Sequence, residues 1–231
     1  MRVAGEPSHP EDMSGYFQRP HYVPTDMNKI EPIVTRGRPR EFCVEEALAK
    51  ALRVFWSKGY EGTSMTDLTD AMGITRPSLY AAFGNKESLF RKALDLYERE
   101  KMDYVGKALA QPTARGVAEV LLRGSMDNLT DCNEPHGCLG VITSVTCGED
   151  AQCVRDEVLE RSKVAKRALI ERMERAKAEG DIPAHVDVEG LTSLLYALMQ
   201  GMSVQAGAGA SREDLERLVE TGLAMWPSTR H

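Results

Sequence analysis

Features that mark secreted and membrane proteins are scarce in this chain of 231 residues. No apolar run approaches the roughly 20 residues that a helix needs to span a bilayer. The first residues, MRVAGEPSHPEDMSGYF, lack the apolar segment of a secretory signal. Cysteines number only five, and an odd count in a chain of this length predicts a reducing, cytoplasmic setting rather than a disulfide framework.

An overall excess of positive charge is also missing, since the formal net charge is −6. The charge is unevenly distributed, however. Residues 36–86 carry eight Lys or Arg and six Asp or Glu, whereas residues 87–231 carry 18 and 24. A segment with so small a positive balance would make the roughly six to ten phosphate contacts of a DNA complex only if two copies bound together.

The periodicity of the chain is helical, and strand-like alternation is absent from Thr113 onward. Residues 1–35 contain five prolines and few periodic apolar positions, which indicates a flexible leader. Residues 86–109 read as one long helix. Residues 138–147 (CLGVITSVTC) are rich in β-branched residues, yet in a helical chain they predict a helix, buried nearly all round and lining a cavity.

Residues 64–86, SMTDLTDAMGITRPSLYAAFGNK, predict two short helices joined by a tight turn, followed by the start of a third. Ser64 and Asp67 have the spacing of a capping box at the first helix. Gly73 supplies the backbone freedom that a sharp turn needs, and Thr75 suits the N-cap of the second helix.

The second of these helices has one apolar and one polar face. Leu79 and Phe83, four residues apart, face the same way and predict a buried side. Arg76, Ser78 and Tyr80 are left facing outward; all can donate hydrogen bonds and none is acidic. This is the arrangement of a helix-turn-helix unit, whose second helix lies in the major groove of DNA.

These motifs resemble, in order and spacing, the N-terminal domain of the TetR/AcrR family of repressors. The resemblance runs from about residue 38 to about residue 97 and rests on GYEGTS at 59–64, MGI at 72–74, SLY at 78–80 and FGNKE at 83–87.

The expected architecture is therefore all-α and has two domains after the leader of residues 1–35. Residues 36–85 form a three-helix DNA-binding domain with a basic arm, and residues 86–231 an all-helical regulatory and dimerisation domain. The expected function is that of a transcriptional repressor, with no enzymatic activity and no cofactor, released from a palindromic operator by a small-molecule or thiol-reactive effector.

The residues predicted to contact double-stranded DNA fall into three groups. The major groove is assigned to Arg76, Ser78 and Tyr80. The phosphates are assigned to Thr63, Ser64, Thr75 and Lys86. The Arg-Gly-Arg-Pro arm resembles an AT-hook and would place arginines in the narrow, negative minor groove of A·T-rich DNA; these are Arg36, Arg38 and Arg40.

Homodimerisation is predicted through residues 187–226, whose two helices carry more apolar face than one small bundle needs, and the resemblance implies the same. The helix-turn-helix unit of residues 64–86 is called the reader below. The two readers of a dimer could then reach successive major grooves about 34–36 Å apart.

An effector pocket is expected in the C-terminal domain, because methionine-rich apolar linings adapt to many ligands. Each residue, taken singly, could equally belong to the bundle core. The candidates are Met126, Leu129, Cys138, Ile142, Val145, Met173, Tyr196 and Met199.

Cys138 has a further interpretation. GCLG at residues 137–140 followed by Glu149 resembles a pattern found in many family members, including some thiol-based sensors. Cys132, Cys147 or Cys153 could resolve an oxidised Cys138, although a cysteine is also a common small core residue. A zinc or copper(I) site at Cys132, His136 and Cys138 has none of the standard zinc-finger spacings, so no metal is predicted.

Two other classes of function compete with the repressor. One is a thiol-dependent redox enzyme that uses Cys138 and Cys147, although no histidine-and-acid arrangement accompanies them. The other is an interaction module whose helix-turn-helix no longer binds DNA.

Overall fold

The computed structural model describes residues 42–227. Every regular element of that part of the chain is helical, which confirms the predicted fold class. The helices, in chain order, are α1 (Val44–Gly62), α2 (Met65–Met72), α3 (Arg76–Phe83), α4 (Lys86–Lys101), α5 (Asp103–Leu109), α6 (Ala114–Leu129), α7 (Leu139–Thr146), α8 (Gln152–Ala178), α9 (Val188–Gly207) and α10 (Arg212–Ala224). Within the described part of the chain, no helix combines the length and the apolar character needed to cross a membrane.

One apolar core unites α1 to α4. Phe55 meets Phe90 edge-on with 5.2 Å between ring centroids, and Trp56 meets Tyr97 in the same way at 4.9 Å. Each such aromatic pair contributes about 0.5–1.5 kcal/mol beyond the area it buries. The same core includes Leu139 of α7 and the first half of α8. The helix-turn-helix therefore shares its core with residues of α7 and α8.

A second core joins α5, α6, the second half of α8, α9 and α10. Leu122, Met173 and Leu195 lie at its centre and are almost completely buried. The predicted domain division at residue 86 stays a prediction, because α4 belongs to the first core and both cores include parts of α8.

The prediction of one helix over residues 86–109 is wrong, because the chain breaks at Met102, between α4 and α5. No proline or glycine lies at Met102. At the break, the Asn128 side-chain amide donates to the carbonyl of Lys101, the last residue of α4. Across the break, the ring of Tyr104 packs against Gly124, where an added Cβ would come within 2.5 Å of it.

Helix α7 has the predicted type but not the predicted burial. Leu139 and Thr143 are buried, whereas Val145 is 73% exposed. A two-turn helix lying against α1 and α8 buries only one face, so the expectation that it is buried nearly all round is wrong.

Helix α1 is kinked at Gly59, whose backbone is non-helical with φ of 71°, before it continues to Gly62. A Cβ at this position would lie 3.1 Å from Thr146 Oγ1 and 3.3 Å from Ile142 Cγ2. The glycine therefore serves both the turn and the close approach of α7.

A network of ion pairs connects α4 to α8. Arg161 of α8 lies 2.7 Å from Asp95 Oδ1 and 2.8 Å from Glu98 Oε2, both on α4. On the same network, Arg91 of α4 lies 2.6 Å from Glu157 of α8. Burial raises the pKa of Glu98, against the opposing effect of Arg161. These ion pairs form a brace that holds α4, the helix that follows α3, against α8.

Candidate nucleic-acid interface

Helix α2 begins at the predicted capping box. Ser64 Oγ accepts from the backbone N–H of Asp67 at 3.0 Å, and Asp67 Oδ2 accepts from the N–H of Ser64 at 2.8 Å. Lys58 Nζ lies 2.6 Å from Asp67 Oδ1. Hydrogen bonds from Lys58 and Ser64 hold the pKa of Asp67 well below its usual range. The one acidic group in this first turn is therefore paired.

The turn between α2 and α3 has the predicted chemistry. Gly73 has φ of 69°, and nothing lies within 4 Å of a Cβ built there, so backbone conformation alone requires the glycine. The side chain of Thr75 caps α3 by accepting from the N–H of Ser78 at 3.3 Å. Thr75 Oγ1 and Ser78 Oγ are also 2.9 Å apart. Local sequence signals therefore fix the start of α3.

Helix α3 turns its apolar face inward as predicted, since Leu79 and Phe83 are buried in the first core. On the opposite face, Arg76 is exposed, Tyr80 is 51% exposed and Ser78 is half-buried. The side chain that sequence reasoning missed is Thr66 of α2, whose Oγ1 accepts from Arg76 Nη2 at 2.9 Å. The two residues are ten positions apart in the sequence, and only the packing of α2 against α3 brings them together.

Lys86 opens α4 next to this surface. Its ammonium lies 4.4 Å from the centroid of the Tyr60 ring, a cation–π contact. Burial lowers the pKa of Lys86, and the nearby Glu61 opposes that effect. Asn85 caps the helix by accepting from the N–H of Ser88 at 2.7 Å. Lys86 is held in place, half-buried, at the edge of the exposed surface.

The predicted phosphate contact through Thr63 requires correction. Its side chain is buried, and its hydroxyl donates to the carbonyl of Gly59 at 2.7 Å. Ser64 and Thr75 are exposed. The arm residues Arg36, Arg38 and Arg40 lie outside the described residues.

The predicted effector residues are not brought together around one site. Met126, Leu129 and Met173 lie buried in the second core, and Tyr196 and Met199 pack against it. Cys138 and Ile142 pack instead against the first core. Val145 is the clearest correction, because its exposed side chain lines no interior.

The thiols differ in their surroundings. Cys138 precedes α7, is half-buried, and its backbone N–H donates to Ser203 Oγ of α9 at 2.8 Å. Cys147 is buried, and burial raises the pKa of its thiol, which disfavours the nucleophilic form. Cys132 and Cys153 are exposed. Among the described residues, no cluster of His, Cys, Asp or Glu has a metal-binding arrangement.

Helix α7 is tied to α1 at both of its ends. Before α7, the indole N–H of Trp56 donates to the carbonyl of Gly137 at 2.7 Å in the buried interior. After α7, the backbone N–H of Gly148 donates to Glu61 Oε1 at 2.9 Å. The charge of Glu61 in turn opposes the effect of burial, which lowers the pKa of Lys86. Hydrogen bonds therefore join both ends of α7 to α1.

Helices α9 and α10 leave large apolar side chains uncovered. Leu194 is 62% exposed, Val204 60% and Met225 75%. Leu194 and Val204 both lie on α9, and Met225 directly follows α10. Exposed apolar side chains of this size are candidates for an interaction surface.

Two family models match the chain. "Bacterial regulatory proteins, tetR family" matches residues 47–93, and "Tetracyclin repressor-like, C-terminal domain" matches residues 119–221. The first covers α2, α3, most of α1 and the first half of α4. The second spans most of the region expected to regulate and dimerise.

Individual relatives agree with these models. The HTH-type transcriptional repressor ComR of Escherichia coli (strain K12) is 35% identical over 195 residues, which is 84% of this chain and 93% of ComR. The repressor BdcR of the same strain is 28% identical over 78% of this chain and 86% of its own. A solved cysteine mutant of the TetR family transcriptional regulator CifR, complexed with 26-bp double-strand operator DNA, is 41% identical with a TM-score of 0.78; the match covers 83% of this chain and 100% of that one.

Proposed function

This chain belongs to the TetR family of transcriptional regulators, and from that premise we propose that it is a homodimeric repressor whose α3 helices read a two-fold-symmetric operator. It is a DNA-binding regulator and not an enzyme. The alternative of a thiol-dependent redox enzyme has no support, and burial of Cys147 further weakens it.

The outward face of α3 is the observation that carries the proposal. Arg76, Ser78 and Tyr80 stand on one short helix that is anchored from behind by Leu79 and Phe83. A helix of this size fits the major groove, where a guanidinium can bond two acceptors of guanine at once. Ser64, Thr75 and Lys86 flank α3 and would contact phosphates, which set the register of the helix on the duplex.

Two copies are needed because one reader offers few cations. We assign the contact between copies to residues 187–226, where Leu194, Val204 and Met225 are exposed. Covering these side chains would bury apolar surface at about 25 cal/mol per Å². The pair would present its α3 helices to major grooves about 34–36 Å apart.

The arm ahead of α1 supplies a second kind of contact. Arg36, Arg38 and Arg40 alternate with glycine and proline, which favours an extended segment. Guanidinium groups of such a segment fit a narrow A·T-rich minor groove.

Release from DNA would follow when a small molecule, or a thiol-reactive compound at Cys138, favours a conformer in which the readers no longer match the half-site spacing. The bonds from Gly137 to Trp56 and from Gly148 to Glu61 provide one route from Cys138 to α1. The ion pairs between α4 and α8 provide another. Moving the chain from almost wholly bound to almost wholly free requires about 5 kcal/mol of preference for the second conformer.

Gel-shift titration with DNA flanking the gene for this protein tests the proposal. The wild-type protein should bind at least one fragment with an affinity that random DNA does not match. Arg76→Ala should weaken that binding by about 1–3 kcal/mol, the usual value of a bidentate base contact. Equal affinity for all fragments, or an unchanged affinity after Arg76→Ala, would remove the assignment of α3 as the reader.

A further inference from the structure

The contact between Thr66 of α2 and Arg76 of α3 joins the two helices of the reader at their outer surface. Thr66 Oγ1 accepts from Arg76 Nη2 at 2.9 Å, and both residues are exposed. From this geometry we infer that Thr66 is a positioning residue for base recognition, which fixes the guanidinium of Arg76 before DNA arrives. This inference rests on the proposed reading role of α3.

The hydrogen-bonding capacity of an arginine leaves room for both partners. A guanidinium has five N–H donors arranged so that two different edges can each bond a pair of acceptors. The Thr66 hydroxyl occupies one donor of Nη2. One complete two-donor edge of Arg76 therefore stays available, and that is the edge needed for the O6 and N7 acceptors of guanine.

Nothing acidic competes for this guanidinium within the described part of the chain. Asp67, next to Thr66, is bound by Lys58 and Ser64 instead, and the described ion pairs do not include Arg76. A carboxylate partner would hold Arg76 by charge and would have to be displaced by the base. A neutral hydroxyl orients the guanidinium without neutralising its charge.

Ordering Arg76 in advance matters because a free arginine has many rotamers, whose loss on binding opposes association. Without the Thr66 hydroxyl, Arg76 would populate orientations that still attract phosphates but no longer face the base. The effect should therefore fall on base discrimination more than on general affinity for DNA.

The test uses a duplex enriched from a random library by the wild-type protein, together with single-base-pair variants of that duplex. Arg76→Ala identifies the base pair at which discrimination is lost. Thr66→Val should reduce affinity for the enriched duplex by about 3- to 10-fold, the equivalent of one net hydrogen bond. It should also reduce discrimination at that same base pair, while affinity for random DNA stays within about twofold.

Two further variants separate positioning from folding. Thr66→Ser keeps the hydroxyl and should restore discrimination at the Arg76 base pair. Thr63→Val makes the same chemical change three residues away, at a buried hydroxyl that bonds Gly59. At equal concentrations of folded protein it should leave base discrimination unchanged.

The outcomes distinguish this inference from the function on which it rests. If the wild-type protein enriched no sequence, the proposed function itself would fail. If it enriched a sequence but Thr66→Val bound every duplex as the wild type does, or bound more tightly, only the positioning role would be overturned. Loss of discrimination at a base pair that Arg76→Ala leaves untouched would also overturn it.

Discussion

Thr63 and Thr66 stand three residues apart at the start of the reader, yet only one of them faces solvent. The hydroxyl of Thr63 turns inward to the carbonyl of Gly59, whereas that of Thr66 meets Arg76 at the surface. Whether a threonine can contact a phosphate therefore depends on where its side chain points. Residue type alone does not decide it.

Lys86 provides the residue-scale prediction. In Lys86→Met the side chain keeps its apolar stem against Tyr60 but loses its charge. Affinity should fall by a similar factor for every DNA sequence, because a phosphate contact carries no base information. The slope of log affinity against log salt concentration should decrease in magnitude by about 2, because each copy in the dimer loses one phosphate contact.

Lys163→Met is the matched control, since Lys163 is exposed on α8 and paired with Glu160. It should leave the salt slope unchanged. A Lys86→Met variant with the wild-type slope would show that this ammonium makes no phosphate contact.

At the scale of single elements, the capping box of α2 makes stability depend on pH. Hydrogen bonds from Lys58 and Ser64 lower the pKa of Asp67 in the folded protein. A carboxyl with a lowered folded pKa stabilises the fold above its unfolded pKa, near 4, and loses that contribution as the pH falls through its folded value. Asp67→Asn should therefore be less stable at pH 7 and should lose less further stability on acidification.

Thermal unfolding between pH 7 and pH 2 measures this difference. Asp70→Asn removes a carboxylate from the same helix outside the capping box and serves as the control. Parallel acid profiles for the wild type and Asp67→Asn would contradict the role given to this carboxylate.

The brace between α4 and α8 gives a second prediction, in which lowering the pH restores stability instead of reducing it. Arg161→Met would leave Asp95 and Glu98 without their cation, whereas Glu157 would keep Arg91. Stability at pH 7 should fall by about 1 kcal/mol, because both carboxylates are partly exposed and solvent screens their loss. Repulsion among the carboxylates would raise their folded pKa values, so stability should partly return as the pH is lowered to 5.

Denaturant unfolding at pH 7 and pH 5 tests this brace, with Lys163→Met again as the control on the same helix. If Arg161→Met lost as much stability at pH 5 as at pH 7, carboxylate repulsion would not be the cause.

The elements also show what a sequence can predict and what it cannot. The caps at Ser64 and Thr75 and the turn at Gly73 were predictable, because each depends on residues within a few positions of one another. The break at Met102 was not, since the amide that bonds the last carbonyl of α4 lies 27 residues away. The same holds for the exposure of Val145 and for the separation of Cys138 from Met126, which depend on how distant helices pack.

At the scale of the whole molecule, dimerisation should depend on the exposed apolar side chains of α9. Glutamates at two of its positions, Leu194→Glu with Val204→Glu, would place charge where apolar contact is proposed. The dimer dissociation constant should rise at least about tenfold, equivalent to 1.4 kcal/mol. Operator affinity should fall with it, because two linked readers bind more tightly than two separate ones.

Val145→Glu is the control for this change. Val145 is just as exposed but lies on α7, outside the proposed interface. Sedimentation equilibrium should find it dimeric at concentrations where the double variant is monomeric. A double variant that stayed dimeric would place the interface elsewhere on the molecule.

The central claim is that two α3 helices, held by one dimer, read a duplex through Arg76. Hydroxyl-radical footprinting on the enriched duplex tests it most directly. The account predicts two equivalent protected regions related by two-fold symmetry, centred about 34–36 Å apart or a whole multiple of that distance. At the protein concentration that just saturates the duplex with wild type, both should be lost together in Arg76→Ala. A single asymmetric footprint, or a symmetric one that survives Arg76→Ala, would contradict it.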